Sequence, residues 1–271
     1  MTELVLITTC DLGGGRDLEL RRMLDSVAVY RNSATDVTVR PYLLLQRAGT
    51  ALTWPIPEWV RVLEEPGRLS LSAARNRMIA AIMADGLDDD TLVAFPDDDA
   101  WYPQGTLDFI IAGFSRDTAR DFWFCRYGTT AEAPASAALD RETAPSFQQV
   151  LSFASSNTVV LRGRVLKSVG EFDEALGVGT PAGGGEDTDF AIRAYFAAVK
   201  TVFLDGKHVG HRDGSPAFRA RYYRSSLKVI ARHAHRSPAA RLAHARKLLV
   251  GLHLTLTGKL SLLWPGHPRG S

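Results

Sequence analysis

The sequence predicts an α/β fold, a mostly parallel central sheet flanked by helices, and three observations predict it. Apolar, β-branched runs of strand length alternate with helical patterns along most of the chain, which implies parallel strands joined by right-handed crossovers. The first run, ELVLITT, is continuously apolar, as in a strand buried on both faces. At 271 residues, 45% hydrophobic and 23% charged, the chain has room for one large globular domain or a domain with a small appendage.

The elements follow in order. ELVLITT (3–9) is the first strand; CDLGGGR is a glycine-rich loop, and DLELRRMLDSVAVY reads as a helix. VTVRPYLLLQ (37–46) is the second strand and WVRVLEE (59–65) a short third. Ser72 is the expected N-cap of the helix AARNRMIAAIMADG, because a serine hydroxyl accepts from an unpaired amide of the first turn, and Gly86 stops that helix. TLVAF (91–95) is a strand, and 103–114 reads as helical. FWFCRYG and NTVVLRG are further strands, separated by a polar, alanine-rich loop or insertion over 129–146. FDEALGVGTPAGGGEDTDFAIRAYFAAV runs from a glycine-rich loop into a helix, and the short strand TVFL follows. Beyond about Ala217 the pattern is helical and rich in Arg and His. The expected division is an α/β domain over 1–215 and a helical C-terminal extension over 216–271.

Composition narrows the function. A net charge of +2 is too small to imply a nucleic-acid partner. Cys10 and Cys125 lie far apart without metal-like spacing, and each is expected to be a small buried residue. MTELVLITT lacks the basic start and long apolar run of a signal peptide, and no apolar stretch reaches the roughly 18 residues of a membrane span. A reducing, cytoplasmic setting is the expectation.

GLDDDTLVAFPDDDAWYP (86–103) carries two runs of three aspartates, one on each side of a strand. Crowded carboxylates cost free energy unless water, partners or a cation absorb the charge. Asp88, Asp89 and Asp90 stand at the strand's N-terminal edge and read as a solvated turn. Asp97, Asp98 and Asp99 stand past its carboxyl end, where ligands of open α/β sheets bind. The spacing Asp97-x-Asp99 can bring two carboxylates to one Mg²⁺ or Mn²⁺ that leaves positions open for substrate phosphates. Trp101 and Tyr102 stand where an EF-hand would need its glycine and further acids.

Other residues complete a candidate site. Arg75 falls in a first helical turn, where a cation opposes the dipole, and on the face of Met78, Ile79 and Ile82, so it either points into a cleft toward an anion or reaches solvent. In GGGEDTDF (183–190) small residues permit close backbone approach or a mobile flap, and Glu186 and Asp187 open a helix, as caps or as site residues. Asp189 and Arg193 form a structural i,i+4 pair. No Lys-Ser or Lys-Thr follows the glycines, so there is no Walker motif. His208 and His211 follow the short strand, and His211 can supply a nitrogen to the same metal or a donor to a phosphate.

The ordered set LVLITT, LSLSAARNRMI, VAFPDDDAWYP, SSNTVVLRGRVLKSVGEFDEALGVG, GGGEDTDFAIRAY and KHVGH resembles the inverting glycosyltransferase family 2, over roughly Leu4 to Asp213. The resemblance implies the GT-A fold, a nucleotide-sugar donor (a UDP-sugar first), and Mn²⁺ or Mg²⁺. It implies Asp97, Asp99 and His211 as the metal side, with Asp97 or Asp98 left to contact ribose or metal-bound water. Asp187 matches the base. Thr8, Thr9, Asp11, Gln46 and Arg75 fall on the nucleotide side, and Trp101, Asn157, Gly184, Gly185 and Glu186 on the acceptor or sugar pocket. The implied acceptor is a glycan or a lipid-linked hydroxyl. The loop 177–185 is expected to help close the site against water.

Two positions depart from that family's pattern. Gln46 and Arg47 stand where an acidic residue often reads the base, and Gly13-Gly14-Gly15-Arg16 stands where a Tyr or Asn is usual. That glycine loop is similar to one in sugar-nucleotide pyrophosphorylases, but their longer signature and downstream lysine are missing. Nucleotidyltransfer and a non-catalytic sugar-binding scaffold are the rival readings.

From Arg241 to Trp264, Leu242, Leu249, Leu252, Leu256, Leu260 and Leu263 recur on one helical face, with Arg241, His244, Arg246, Lys247 and Lys259 around it and Trp264 and Pro265 closing it. Packing of that face on the catalytic domain or in a homodimer is the expected arrangement. The alternative is peripheral contact with the inner face of an anionic membrane.

Overall fold

The computed structural model describes residues 2–48, 52–135, 141–212 and 222–257, so Lys259, Leu260, Leu263, Trp264 and Pro265 lie outside the described residues. Strand β1 (Thr2–Asp11) pairs in parallel with β2 (Val37–Gln46), Thr2 opposite Val37 and Asp11 opposite Gln46. β2 pairs in parallel with β3 (Arg61–Glu65), and β1 with β4 (Leu92–Ala94). β6 (Val159–Arg162) runs antiparallel between β4 and β5 (Arg120–Gly128), and β5 pairs in parallel with β7 (Lys200–Gly210). The seven-stranded order is β3-β2-β1-β4-β6-β5-β7. The sheet is mostly parallel, as expected, with β6 its one reversed strand. VVLR is buried on both faces, and a short, mainly apolar run of this kind carries no information about strand direction. Because β6 alone is reversed, the carboxyl ends of the other six strands share one edge.

Helices cover both faces. On one, α1 (Asp17–Ser33) and α3 (Thr106–Arg116) bring Leu20, Met23, Val27, Leu107 and Ile110 onto Leu4, Leu6 and Leu43. On the other, α2 (Leu71–Ala84), α4 (Phe147–Phe153), α5 (Gly163–Val169) and α6 (Glu186–Ala197) pack Met78, Ile79, Val150, Val165 and Phe190 against Val5, Ile7, Leu44 and Phe122. Each such buried side chain contributes on the order of 1.5–3 kcal/mol from burial. Cys10 and Cys125 are buried and free, as expected.

Several boundaries differ from expectation. Ser70, not Ser72, caps α2: its backbone is extended and its hydroxyl accepts from Ala73 N at 3.2 Å. Ser72 lies inside the first turn, buried, and donates to the Leu176 carbonyl at 2.8 Å. α3 begins at Thr106 rather than Pro103, after Gly105 turns the chain at φ +93°. β7 continues to Gly210 by pairing with β5 through register shifts, so His208 lies within the strand. The seven-residue helices α4 and α5 were not expected: α4 begins just past the 129–146 segment, and α5 begins at Gly163, the last residue of the expected strand.

At the C-terminus α7 (Tyr223–His233) and α8 (Pro238–Leu256) pack on α4 and α6 around Phe147, Leu176, Ile192, Val229 and Ala240. The inward face of α8 is Ala240, Ala243 and Gly251, while Leu242, Leu249 and Leu256 are 72%, 67% and 78% exposed. This overturns the expectation that the leucine face packs on the catalytic domain. The Tyr223 hydroxyl donates to the Lys247 carbonyl, and a Cβ at position 251 would collide with that hydroxyl, so only a small-residue seam allows the close approach. No helix among the described residues is long and apolar enough to cross a membrane.

Candidate functional site

The shared edge of carboxyl ends carries the candidate site. β4 ends at Ala94, and the chain reaches Asp97 within three residues, while β7 ends at Gly210 and delivers His211. Asp97, Asp99 and His211 each offer one ligand atom within 4.8 Å of the others, the one such group with metal-holding geometry among the described residues. His211 Nε2 stands 3.0 Å from Asp99 Oδ1 and 3.6 Å from Asp97 Oδ2.

The donor set fits a divalent cation. Asp99 Oδ1 is buried and makes no hydrogen bond of acceptable angle, although His211 Nε2 is close. An orphaned buried carboxylate oxygen is costly unless a cation or proton meets it. His211 Nδ1 lies 2.8 Å from the Arg212 carbonyl oxygen, a contact satisfied by an Nδ1–H, which leaves Nε2 facing the two carboxylates. Burial works against charging His211, but Asp99 and Asp97 outweigh it and raise its pKa above the ordinary histidine value. Desolvation in the cleft pushes Asp97 up to about 6, opposed by Arg75 and aided by Asp187. Burial would raise Asp99 as well, yet His211, Arg212 and Arg16 together hold it below the usual carboxylate range.

Trp101 explains why the two halves of the triad meet. Its N–H donates to the Gly210 carbonyl at 3.0 Å, and Gly210 N–H donates back to the Trp101 carbonyl at 2.8 Å. The indole lies against Gly210 so closely that any Cβ there would overlap the ring. The Arg22 guanidinium covers the ring at 4.1 Å and donates to the Asp99 carbonyl at 2.9 Å. Trp101 therefore fastens the strand that carries His211 to the loop that carries Asp99.

Arg75 is buried, its side chain 4% exposed, and it points toward acidic side chains rather than solvent. It donates to Asp187 at 2.8 Å, to Asp97 at 3.1 Å and to the Ser156 hydroxyl at 2.7 Å. Ser156 in turn donates to the other Asp187 oxygen at 3.1 Å. Asp187 is thus held on both oxygens, at the N-terminus of α6. Glu186 beside it is buried, and desolvation, with Asp187 adding to it, lifts its pKa to about 7. The turn ahead of α6 bends at Gly185 with φ +97°, and Gly184 lies against the Tyr222 ring with no room for a side chain. The loop expected to cover the site is hydrogen-bonded to the start of α2 through Leu71 N to the Val178 carbonyl and Ser72 to the Leu176 carbonyl.

The other expected residues sit elsewhere on the same edge or below it. Asp98, its side chain 10% exposed, accepts from Arg16 at 2.8 Å, and the same Arg16 nitrogen lies 3.4 Å from Asp99. Asp11 accepts from Arg47 at 2.6 Å and lies 3.3 Å from Arg68. Gln46 is buried and accepts from Leu69 N at 2.7 Å, which holds the approach to α2. Thr8 is buried within β1 with its hydroxyl unpartnered, and Thr9 is half-buried. Asn157 is buried in the 3-10 turn that presents Ser156 and accepts from the Ser155 hydroxyl. Sequence reasoning missed Arg16, Arg212 and Ser156 as partners of the acidic residues. Arg16 had a signal, since it follows a glycine loop at the carboxyl end of β1. Ser156 and Arg212 had none.

Neither a protein-family model nor a curated protein matches the sequence. Solved structures do match by shape. S. aureus TarS is similar at a TM-score of 0.58 and 14% identity over 91% of this chain, which spans only 41% of that protein's chain. Its 1–349 fragment in complex with UDP-GlcNAc is similar at 0.60 and 15% identity, covering 97% of this chain and 77% of that one. The mannosyltransferase PcManGT from Pyrobaculum calidifontis, in complex with GDP-Man and Mn²⁺, is similar at 0.58 and 13% identity, covering 96% and 76%. At these identities the likeness shows the fold, and the fold is GT-A.

Proposed function

We propose that this chain is a metal-dependent inverting glycosyltransferase that moves a sugar from a nucleoside-diphosphate donor, a UDP-sugar first, to a hydroxyl of a glycan or lipid-linked acceptor. The observation that carries the reading is the grouping of Asp97, Asp99 and His211, with an orphaned buried carboxylate oxygen, beside a doubly held Asp187 at the carboxyl edge of a GT-A sheet. Two similar structures are complexes with UDP-GlcNAc and with GDP-Man and Mn²⁺, which supports a sugar nucleotide as the ligand.

Asp97, Asp99 and His211 would hold the cation, and a donor set of two carboxylates and one imidazole favours Mn²⁺ over Mg²⁺. A cation bound there supplies Lewis-acid neutralisation of the departing diphosphate. Asp187 takes the proton of the acceptor hydroxyl as that oxygen attacks the anomeric carbon from the face opposite the diphosphate. The new carbon–oxygen bond forms as the bond to the diphosphate oxygen breaks, so one displacement inverts the centre. Arg75 and Ser156 orient the base, and each Asp187 oxygen keeps a second lone pair for the incoming proton. A cytoplasmic site of action goes with this reading.

Calorimetric titration with UDP, GDP, dTDP and CDP, each with Mn²⁺ and with EDTA, tests it. Binding of one diphosphate that needs the metal is the expected result. A folded sample that binds none of the four contradicts the reading, and pyrophosphate exchange with a nucleoside triphosphate would replace it with nucleotidyltransfer.

A further inference from the structure

We propose that the outward face of α8 docks on an anionic lipid bilayer. This surface lies outside the acidic site and does not depend on what that site catalyses. Leu242, Leu249, Leu252 and Leu256 form one apolar stripe pointing away from the protein, 57% to 78% exposed, while the opposite stripe of small residues makes the contact with α7. A stripe of four large exposed apolar side chains on a single helix is more than scattered surface hydrophobicity, and it marks an interaction face. Arg241 and Arg246, both exposed, stand on the two flanks of the stripe at helical spacing. Side chains of that kind lay their stems beside apolar surface and keep the charge at headgroup level.

Charge identifies the partner. From residue 214 to 271 there are eleven Lys and Arg and no Asp or Glu, so the rest of the chain holds 21 basic against 30 acidic residues. A +11 segment on a −9 body matches an anionic surface and would hold the acidic part away from it. A second copy meeting face to face would set Arg241 and Arg246 against their own counterparts with no carboxylate in the segment to pair them. Through α7, whose preceding Tyr222 packs on Gly184 and whose Ser225 and Val229 pack on Gly185, the face is mechanically continuous with the turn that presents Asp187.

The full chain is sedimented with vesicles of phosphatidylcholine alone or of phosphatidylcholine with phosphatidylglycerol, and its mass is measured by light scattering. The expected result is a monomer whose partition onto the anionic vesicles exceeds that onto neutral ones by about tenfold or more. Leu249→Ser with Leu256→Ser, at exposed positions, removes the binding. Arg241→Gln with Arg246→Gln weakens it several-fold and reduces its salt dependence. A wild-type chain that stays in the supernatant with both vesicles overturns the proposal. So does a wild-type dimer that the two serines convert to monomer, since a second copy then covers the face. Binding that survives the serines overturns it too.

Discussion

The two aspartate runs at either end of β4 have the same composition and different fates. Asp89 and Asp90, 67% and 76% exposed, are spent on neighbours: Asp89 pairs with Lys167 at 2.7 Å, and Asp90 with Arg164 at 2.7 Å and Arg162 at 3.2 Å. Asp98 and Asp99, 10% and 7% exposed, are buried at the carboxyl edge, and Asp99 keeps an oxygen with no hydrogen bond. A three-residue strand separates the two environments. The difference teaches that a carboxylate's role is set by which end of a parallel strand it leaves. The N-terminal end meets the basic start of α5, whereas the carboxyl end meets the strand end that supplies His211 and the helix that supplies Asp187.

Substitutions at the second run and its partners should have the largest effects. Asp187→Asn should lower kcat by about 10²–10⁴ while a calorimetric titration finds donor binding retained. Loss of donor binding together with activity would make Asp187 a binding residue instead. Glu186 sharpens the comparison through stability. Its carboxyl is lifted from an ordinary 4.5 to about 7 in the folded state, so the folded chain binds a proton that the unfolded chain has released. Stability should fall as pH rises from about 4.5 to 7, by up to about 3 kcal/mol from this group. Urea melts of Glu186→Gln should show that slope flattened, and an unchanged slope would remove Glu186 as its source. Gly210→Ala pushes on the Trp101 ring and should lower Mn²⁺ affinity about tenfold in a folded protein, as loss of a positioning contact does. At the other end of β4, Asp89→Ala should leave the urea-melt midpoint essentially where it is in the wild type, as expected for an exposed, solvent-screened pair.

The same contrast separates what could be read from the chain from what could not. Strand identity was legible, since runs such as VTVRPYLLLQ are long and apolar, and the position of Asp97–Asp99 past a carboxyl end followed from them. The reversed direction of β6 was not, because an apolar run looks the same from either end. The candidate residues that lie near one another in sequence were picked out by pattern: Asp97 with Asp99, and Glu186 with Asp187. Ser156 reaches Asp187 across 31 residues and Arg16 reaches Asp98 across 82, and no local signal reports such pairings. The direction of the leucine stripe was hidden for another reason. Helical spacing shows that α8 has an apolar face, but Ala240, Ala243 and Gly251 form a second one, and packing chose the smaller residues.

The central claim is that the second aspartate run holds a cation and the first does not. Mn²⁺ titration followed by electron paramagnetic resonance, on the wild-type chain, Asp99→Ala and Asp89→Ala, tests it most directly. The account predicts stoichiometric Mn²⁺ in the wild type and in Asp89→Ala, with affinity reduced at least about 100-fold in Asp99→Ala, since a lost ligand costs more than a lost positioning contact. Wild-type Mn²⁺ affinity in Asp99→Ala, or its loss in Asp89→Ala, would contradict it.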